Sequence, residues 1–367
     1  MKKFKNYIGL ALVILLSHAC TNDEMSISPN AIYFEGSTGS NISNVSIDKG
    51  GAQIPITIRA AKPIDTKANI TIRLDPEALE KYNSENGLNY KILPDGYYTF
   101  NSNTFTIEKG KYISNSSTLS VKDISNLPED DKYAIPITIV QAEGGVSVMN
   151  SSKTYYILID RVLYTSVPEI SNSNYINATY KIPYKGLKTW TMEWRVKAKK
   201  MGANNQTLLS SYPTEVYTRF GDVVIQTNQL QIKIAGSQFS LQQGFDDNRW
   251  YHIAYTYDGR SLICYINGVA VSNNNLTASF DFSNIKFGGG YGTKQVNEIR
   301  FWNTVRTASD IRNNMYTIDP NTPGLEGYWK CNEGKGTDIK DYSKNENNMT
   351  IVNNNFIWVA DVRMPAE

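Results

Sequence analysis

Short runs in which apolar and polar residues alternate dominate the chain and predict a protein built of β-strands. In the first half, residues 53–59 and 134–140 share the pentapeptide Ile-Pro-Ile-Thr-Ile, and residues 153–159 alternate in the same way. Apolar side chains at every second position lie on one face of a strand, so these runs predict half-buried strands. Proline cannot donate to a sheet, which places Pro55 and Pro136 at a sheet edge or near a strand start.

One segment of the first half has the pattern of a short helix. Asp75 is a suitable N-cap, Pro76 occupies the first helical position, and helix-forming residues follow until Gly87. These are usual start and stop signals of a helix. Residues 29–161 are therefore expected to form a β-sandwich domain with one short helix.

The second half contains alternating runs among tryptophans, since all six Trp lie between residues 190 and 358. Residues 249–257 and 261–267 alternate and flank Asp258-Gly259, which predicts a β-hairpin. We expect a linker and a first strand at residues 162–184 and a second β-domain at residues 185–367.

A second short helix is predicted in this half from the spacing of two polar residues. Thr307 and Asp310 stand three positions apart, which is the spacing of a capping box.

Composition disfavours most metal and nucleophilic chemistry. The chain has 24 Tyr, 12 Phe and 6 Trp but only two His and three Cys. His252, in an alternating run, is expected to point off a strand face, and zinc sites with more than one His ligand are excluded. Cys264 and Cys331 lie in apolar runs and are interpreted as two buried thiols, with a disulfide between them as the alternative.

The N-terminus has the pattern of an export signal. Lys2, Lys3 and Lys5 precede an apolar run that is too short to span a membrane. Ala19 before Cys20 resembles the cleavage box of bacterial lipoproteins. This resemblance implies a signal peptide at residues 1–19, acylation of Cys20 and a tether at residues 20–28.

The polar residues that follow indicate a destination for the lipoprotein. Residues 21–24, Thr-Asn-Asp-Glu, resemble the signal that sends Bacteroidetes-type lipoproteins to the outer face of the outer membrane. Loss of residues 1–19 leaves 34 basic and 35 acidic residues, a net charge of −1. A near-neutral chain offers no electrostatic footprint for nucleic acid.

Motifs in the first domain resemble a known module. Residues 76–83, 93–98 and 105–110 are similar to the N-terminal domain of exported Bacteroidetes lipoproteins found beside, or fused to, chitinase-type endoglycosidases. The resemblance implies an immunoglobulin-like sandwich that acts as a spacer or binding module.

Four ordered motifs in the second domain resemble the laminin-G-like, concanavalin-A-like lectin and glucanase sandwich. They are residues 249–259, 262–268, 297–303 and 325–336. The resemblance implies a jelly roll, so the expected fold class is all-β with two β-sandwich domains. This fold hosts lectins, glycosidases and adhesion modules, so it does not by itself fix a function.

The spacing of carboxylates in the second half of the sequence disfavours catalysis. Glycoside hydrolysis needs two carboxyl groups about 5 to 9 Å apart, and the glucanase branch carries them as Glu-x-Asp-x-x-Glu on one strand. No such string occurs in residues 162–367, where the glutamates stand singly, as at Glu193 and Glu298. No catalytic residue is assigned, and the protein is expected not to be an enzyme.

Exposed aromatic and planar polar groups are the parts that a sugar-binding site needs. The motifs place Trp194, Trp250, Trp302 and Trp329 in the scaffold. The candidate ligand-binding residues are therefore those outside the scaffold strings, namely Tyr212, Tyr217, Arg219, Asp222 and Tyr291.

The expected function is capture of a glycan by an outer-membrane, surface-facing lipoprotein that serves neighbouring hydrolases or uptake proteins. A protein-binding adhesin or assembly component and a glycosidase are the alternatives. No metal and no cofactor are assigned, because Asp222, Asp281 and residues 273–275 lack a recognisable ligand spacing, but calcium is left open.

Overall fold

The computed structural model describes residues 30–172, 174–353 and 355–365, and most of the regular secondary structure of these residues is β-strand. The predicted signal peptide at residues 1–19, the acylation site Cys20 and the tether at residues 20–28 fall outside the described residues. Within the part that is described, no helix has the length and apolarity needed to cross a membrane.

The first domain contains twelve strands and one α-helix in its described part. The helix is α1 (Pro76–Asn86). The strands are β1 (Asn30–Phe34), β2 (Ile42–Ile47), β3 (Ala52–Ile56), β4 (Ile58–Ala60), β5 (Ala68–Leu74), β6 (Lys91–Ile92), β7 (Tyr98–Phe100), β8 (Thr104–Ile107), β9 (Ser117–Val121), β10 (Tyr133–Glu143), β11 (Val146–Val148) and β12 (Thr154–Arg161).

These strands form an immunoglobulin-like sandwich. One sheet has the order β2-β12-β10-β5-β8 with β6 beside β10, and it packs against two three-stranded sheets, β11-β1-β4 and β3-β9-β7. Alternate residues of the strands supply the core, for example Ile135, Ile137 and Ile139 of β10 with Phe34 and Leu119 from the facing sheets. The all-β sandwich expected from the alternation is confirmed.

The predicted helix of this domain is also confirmed, with its signals in their expected roles. The side chain of Asp75 accepts a hydrogen bond from the Ala78 backbone N–H at 3.2 Å, and Gly87 ends the helix with φ of 63°. Pro55 lies in the edge strand β3, and Pro136 lies near the start of β10.

The second domain contains sixteen strands and one helix among its described residues. The helix is α2 (Ala308–Asn313). The strands are β13 (Leu163–Ser171), β14 (Tyr175–Leu187), β15 (Trp190–Ala198), β16 (Gln206–Pro213), β17 (Val216–Asp222), β18 (Ile225–Ile234), β19 (Ser237–Gly244), β20 (Trp250–Tyr257), β21 (Ser261–Ile266), β22 (Val269–Asn275), β23 (Phe280–Gly288), β24 (Thr293–Trp302), β25 (Leu325–Trp329), β26 (Asp338–Ile339), β27 (Met349–Val352) and β28 (Ile357–Met364).

Two large sheets make up this domain. The front sheet has the order β19-β18-β17-β16-β23-β14-β27-β26, and the back sheet has the order β22-β21-β20-β15-β24-β13-β28 with β25 beside β24. Their inner faces enclose an aromatic core that includes Trp190, Trp194 and Trp329, all fully buried. Edge-to-face contacts such as Trp194 on Tyr255, with ring centroids 5.3 Å apart, fix these rings against one another.

A segment that contains α2 covers the outer face of the back sheet. Ile311 of α2 packs on Ala254 and Tyr265, and Ile318 packs near Trp302. Strand β20 is consequently buried on both faces from Tyr251 onward, although its alternating sequence suggested one exposed face. This cover is why His252 points off the strand, as expected, and yet is buried.

The first domain passes into the second near residue 162. Strand β12 ends at Arg161 and β13 begins at Leu163, and β13 and β14 belong to opposite sheets of the second domain. Residues 162–184, expected to form a linker and a first strand, therefore hold most of two paired strands.

Side chains from the first domain also contact the segment after α2. Lys132 donates to Asn314 Oδ1 at 3.0 Å, and Thr317 donates to Asp130 at 2.8 Å.

Removal of the capping box of α2 is expected to lower the stability of the second domain. Thr307 Oγ1 accepts from the Asp310 backbone N–H, and the Asp310 carboxylate accepts from the Thr307 N–H. We expect Thr307→Ala to lower the free energy of unfolding of the second domain by about 1 kcal/mol. Urea unfolding followed by tryptophan fluorescence measures this domain selectively, because all six Trp lie in it. Thr307→Ser keeps the hydroxyl and should behave like the wild type, and equal losses in both variants would contradict the capping role.

Candidate functional site

The outer face of the front sheet holds three of the sequence-predicted residues in one hydrogen-bonded group. Arg219 Nη2 lies 2.7 Å from Asp222, and Tyr217 O–H donates to Asn205 Oδ1 at 2.8 Å. Arg219 also donates to Asn205 Oδ1 and Gln231 Oε1, both at 2.9 Å. Hydrogen bonds to Gln231 and to the Val223 backbone, helped by Arg219, hold the pKa of Asp222 below its usual range. These side chains satisfy one another, so they form a rigid floor.

The other two predicted residues project from the ends of this floor. Tyr212 is 66% exposed at the end of β16, and Tyr291 is 63% exposed in the loop after β23. The Tyr291 N–H donates to the backbone oxygen of Asn205, the residue before β16, which anchors the loop. Residues 205 and 212 are about 20 Å apart at the rise of an extended strand. The two exposed rings therefore mark opposite ends of one surface.

A row of polar side chains crosses the front sheet between these rings. Register pairs Lys233 with Tyr217, Tyr217 with Ser210, Ser210 with Lys286 and Lys286 with Asn177. Directly paired residues point to the same face, and all five are partly exposed. This row, with Tyr212 and Tyr291, is the front-sheet surface.

The glycines near Tyr291 have a packing role. A Cβ on Gly290 would lie 2.4 Å from the Asn205 backbone oxygen, so glycine lets the loop press against residue 205. The amides of Gly289 and Tyr291 already donate to backbone oxygens of Asn174 and Asn205. The loop therefore presents the Tyr291 ring and keeps these two amides for its own folding.

A cleft of ≈ 860 Å³ opens on the outer face of the back sheet. Its walls come from β15, β20, β28 and the segment after α2. The lining includes Arg195, Lys197, Trp250, His252, Tyr316 and Arg363. This back-sheet cleft was missed by the sequence reasoning, because its wall after α2 does not belong to any strand motif.

Two aromatic rings hold one buried guanidinium in the cleft. The Arg195 guanidinium carbon lies 4.8 Å from the Trp250 ring centroid and 5.0 Å from that of Tyr316. Arg195 is only 2% exposed, and desolvation lowers its pKa to about 10. The prediction that Trp250 belongs to the buried scaffold was wrong, because this indole is partly exposed and lines the cleft. Trp194, Trp302 and Trp329 are buried as predicted.

Beneath the cleft lies a charged cluster centred on Arg300. Its guanidinium pairs with Glu298 and lies 3.5 Å from Glu193, and it donates to the Asn314 backbone oxygen at 2.6 Å. Glu193 also accepts from Trp302 Nε1–H at 2.8 Å. His252 Nε2 lies 3.1 Å from Glu193, but the pair is not aligned for a hydrogen bond.

A β-bulge brings these residues to one face. Glu193 pairs with Arg300 and Arg195 pairs with Asn297, so β24 contains one more residue than β15 over this interval. Glu298 takes φ of 51° at this point, which turns its carboxylate toward Arg300. Alternation alone places Glu298 and Arg300 on one face, but the pairing with Glu193 and the bulge that adds Asn297 to this face cannot be read from the sequence.

The two glutamates of the cluster have opposite pKa shifts. Burial alone would raise the pKa of Glu193, but Arg300, His252 and Trp302 outweigh it and hold the pKa at about 2. Burial raises the pKa of Glu298, and Arg300 and Tyr328 offset this only in part. Both carboxylates are committed to buried partners, which favours a structural role for them.

Cysteines and metal-type ligands do not form a further centre in the described residues. Cys264 and Cys331 are buried free thiols, so the interpretation as small hydrophobic residues is confirmed. Burial raises the pKa of both thiols. Across residues 30–172, 174–353 and 355–365, no three His, Cys, Asp or Glu side chains converge as a metal site.

The Arg300 cluster predicts a large stability effect. We expect Glu193→Gln to lower the free energy of unfolding by about 3 to 5 kcal/mol, because it leaves Arg300 buried with less compensation. Asp246→Asn removes the exposed partner of Arg249 and is the matched control, expected to cost less than about 1 kcal/mol. Urea unfolding with tryptophan fluorescence measures both, and equal costs would contradict the structural role.

The pKa of Glu193 also predicts how the stability effect of Glu193→Gln depends on pH. The folded pKa of Glu193, about 2, lies below the ordinary 4.5, so its stabilisation is fully present above pH 4.5 and is lost as the pH falls toward 2. The difference in unfolding free energy between wild type and Glu193→Gln should therefore narrow over this interval. A difference that stays constant from pH 5 to pH 2 would rule out a pKa of Glu193 below its ordinary value in the folded state.

Two family models match the chain. Residues 27–146 match a family of N-terminal domains, and residues 171–312 match the concanavalin A-like lectin/glucanases superfamily. Among curated proteins, no sequence matches the chain significantly.

Several solved structures resemble the chain. A candidate carbohydrate-binding protein from Bacteroides ovatus is 19% identical over 90% of this chain and 99% of its own, with a TM-score of 0.57. EndoBT-3987 from Bacteroides thetaiotamicron, solved with a Man5GlcNAc product, is 19% identical over 35% of this chain and 30% of its own, with a TM-score of 0.30. An SAP-like pentraxin from Limulus polyphemus is 9% identical over 54% of this chain and 95% of its own, with a TM-score of 0.36.

The first of these similarities shows a shared fold across both domains. The family match to the second domain agrees with its two-sheet sandwich and with the motifs of β20, β21 and β24. Over residues 171–312 the second domain of this protein is thus similar to the concanavalin A-like lectin/glucanases superfamily, and it follows a β-sandwich that matches a separate family of N-terminal domains.

Proposed function

We propose that this protein captures carbohydrate through the front-sheet surface of its second domain. The observation that carries the proposal is the pair of exposed rings, Tyr212 and Tyr291, on either side of a polar row that crosses the sheet. Aromatic faces stack on sugar rings, and planar polar groups between them read hydroxyls. A surface about 20 Å long suits an oligosaccharide that lies along β16.

The fixed floor of this surface supports selective binding. Tyr217, Arg219 and Asp222 hold one another in place, so little side-chain freedom is lost when a ligand binds. Lys233 and Ser210 lie beside them with polar groups available to hydroxyls. The fold shared with a candidate carbohydrate-binding protein from Bacteroides ovatus adds support for this ligand class.

Capture without cleavage is the form of the activity that we propose. A glycosidase needs two accessible carboxyl groups, one of them able to give up a proton. Glu193 and Glu298 lie on the outer face of the back sheet, buried and paired with Arg300. The front-sheet carboxylate of Asp222 is engaged by Arg219 and Gln231.

The cellular setting is also part of the proposal. Acylation of Cys20 would anchor the mature chain in the outer membrane with both sandwiches facing the exterior. The first domain would act as a spacer, and glycan held by the second would pass to neighbouring hydrolases or uptake proteins.

Aromatic truncation tests the proposed surface. On a glycan array, Tyr212→Ala and Tyr291→Ala should each weaken binding roughly tenfold, because each removes one stacking ring. Melting temperatures should not change, since both rings are exposed. Tyr112→Ala, an exposed tyrosine of the first domain, is the matched control. Unchanged binding in both variants, or absence of any glycan ligand, would reject this surface.

Two further measurements test whether binding needs calcium and whether the protein is an enzyme. We expect chelation by EDTA to leave binding unchanged, and a loss that calcium restores would assign a calcium ligand to the site. Purified protein should release no fluorophore from fluorogenic glycosides, and turnover would establish a glycosidase.

Replacement of the lipid acceptor tests the anchor. Cys20→Ala should move the protein from the detergent phase to the aqueous phase in a detergent partition of cell lysate, because no acyl chain is attached. Surface proteolysis of intact cells should digest the wild type. Equal partition of both forms would reject acylation at Cys20.

A further inference from the structure

We infer that the back-sheet cleft is a second binding site and that it takes a sugar bearing a carboxylate or a sulfate. The cleft lies on the opposite face of the sandwich from the front-sheet surface. The inference therefore extends the proposed glycan binding but does not depend on the front-sheet residues.

Charge in the cleft points to an anionic ligand. Four cations line it, Arg195, Lys197, Arg249 and Arg363, against one carboxylate, Asp361. Arg249 is paired with Asp246 outside the cleft, and Arg363 Nε is 3.8 Å from Asp48 of the first domain. Lys197 and Arg195 have no acidic group within 4 Å among the described residues.

Arg195 is the side chain that most strongly indicates a binding site in this cleft. It is 2% exposed, yet its hydrogen-bond acceptors are only Asn297 Oδ1 at 3.4 Å and the sulfur of Met364. Within the described residues, Nε and Nη2 have no hydrogen-bond partner. A buried guanidinium without an anion carries a desolvation cost that a bound carboxylate or sulfate would offset.

A second buried group lacks partners beside it. His252 is also 2% exposed, and its Nδ1 has no hydrogen-bond partner. Both side chains border the same cleft. Two buried polar groups with unused capacity in one cavity are unusual in a folded protein.

Aromatic rings indicate that the anion is carried on a sugar. Trp250 and Tyr316 border the cleft on either side of Arg195 and are partly exposed. Asn248 and Asn267 at the rim supply amide groups for hydroxyls. Rings, amides and cations together match an acidic pyranose better than a free inorganic anion.

Calorimetric titration with three oligosaccharides of equal length tests the site. The probes are oligogalacturonate, a sulfated galactan fragment and a neutral galactan fragment. We expect at least one acidic probe to bind at least tenfold more tightly than the neutral one, and its affinity to fall as NaCl rises from about 50 to about 200 mM. Oligogalacturonate and the sulfated probe compared with each other identify which anion is preferred.

Variants locate the binding. Lys197→Gln should weaken the acidic probe about fivefold, and Arg195→Lys about tenfold or more, because lysine lacks the planar fork. Lys335→Gln, an exposed lysine of the same domain outside the cleft, is the matched control and should bind as the wild type does. Lys197 is partly exposed, so its variant tests the site even if Arg195→Lys is unstable.

The outcomes separate this site from the front-sheet surface. Binding of the acidic probe that persists in Tyr212→Ala and weakens in Lys197→Gln supports the cleft as its site, whether or not neutral glycans bind the front sheet. Absence of binding of any acidic probe, equal affinity for the neutral probe in Tyr212→Ala, or full affinity for the acidic probe in both cleft variants would overturn the inference.

Discussion

The outer face of the back sheet depends on one buried cation, Arg300. This guanidinium pairs with Glu298, lies 3.5 Å from Glu193 and donates to the Asn314 backbone oxygen just after α2. A sheet face that carries charges can be covered only if each charge finds a partner. Arg300 therefore lets the segment from α2 to β25 close over the sheet, and that closure places Tyr316 opposite Trp250 in the back-sheet cleft.

Local patterns were sufficient to predict most of the fold. The helix from Asp75 to Gly87, the hairpin after Tyr257 and the capping box at Thr307 each depend on residues that are close in the sequence. The linker and first strand expected at residues 162–184 instead hold most of β13 and β14, and β13 pairs with β24 and β28, which lie more than a hundred residues away. Pairing over that separation leaves no mark on a short window of sequence.

The candidate sites likewise differ in how far the sequence could predict their residues. Tyr212, Tyr217, Arg219 and Asp222 could be chosen because they flank one turn of the chain, and the structure keeps them on one sheet face. Trp250 was assigned to the scaffold because its strand is a family motif, although the strand begins at the cleft rim with this residue partly exposed. The Arg300 cluster needs a bulge at Glu298 and a cover from residues beyond 303, and neither follows from alternation.

The two faces of the second domain differ in how their charges are satisfied. On the front sheet, Arg219 has Asp222, Gln231 and Asn205 as partners, so the surface is complete without a ligand and presents rings and hydroxyls. On the back sheet, Glu193 and Glu298 are both committed to Arg300, which leaves Arg195 with an amide and a thioether. The ion pairs that permit burial of this face thus leave no carboxylate to pair with Arg195. A ligand with an anionic group would supply that partner.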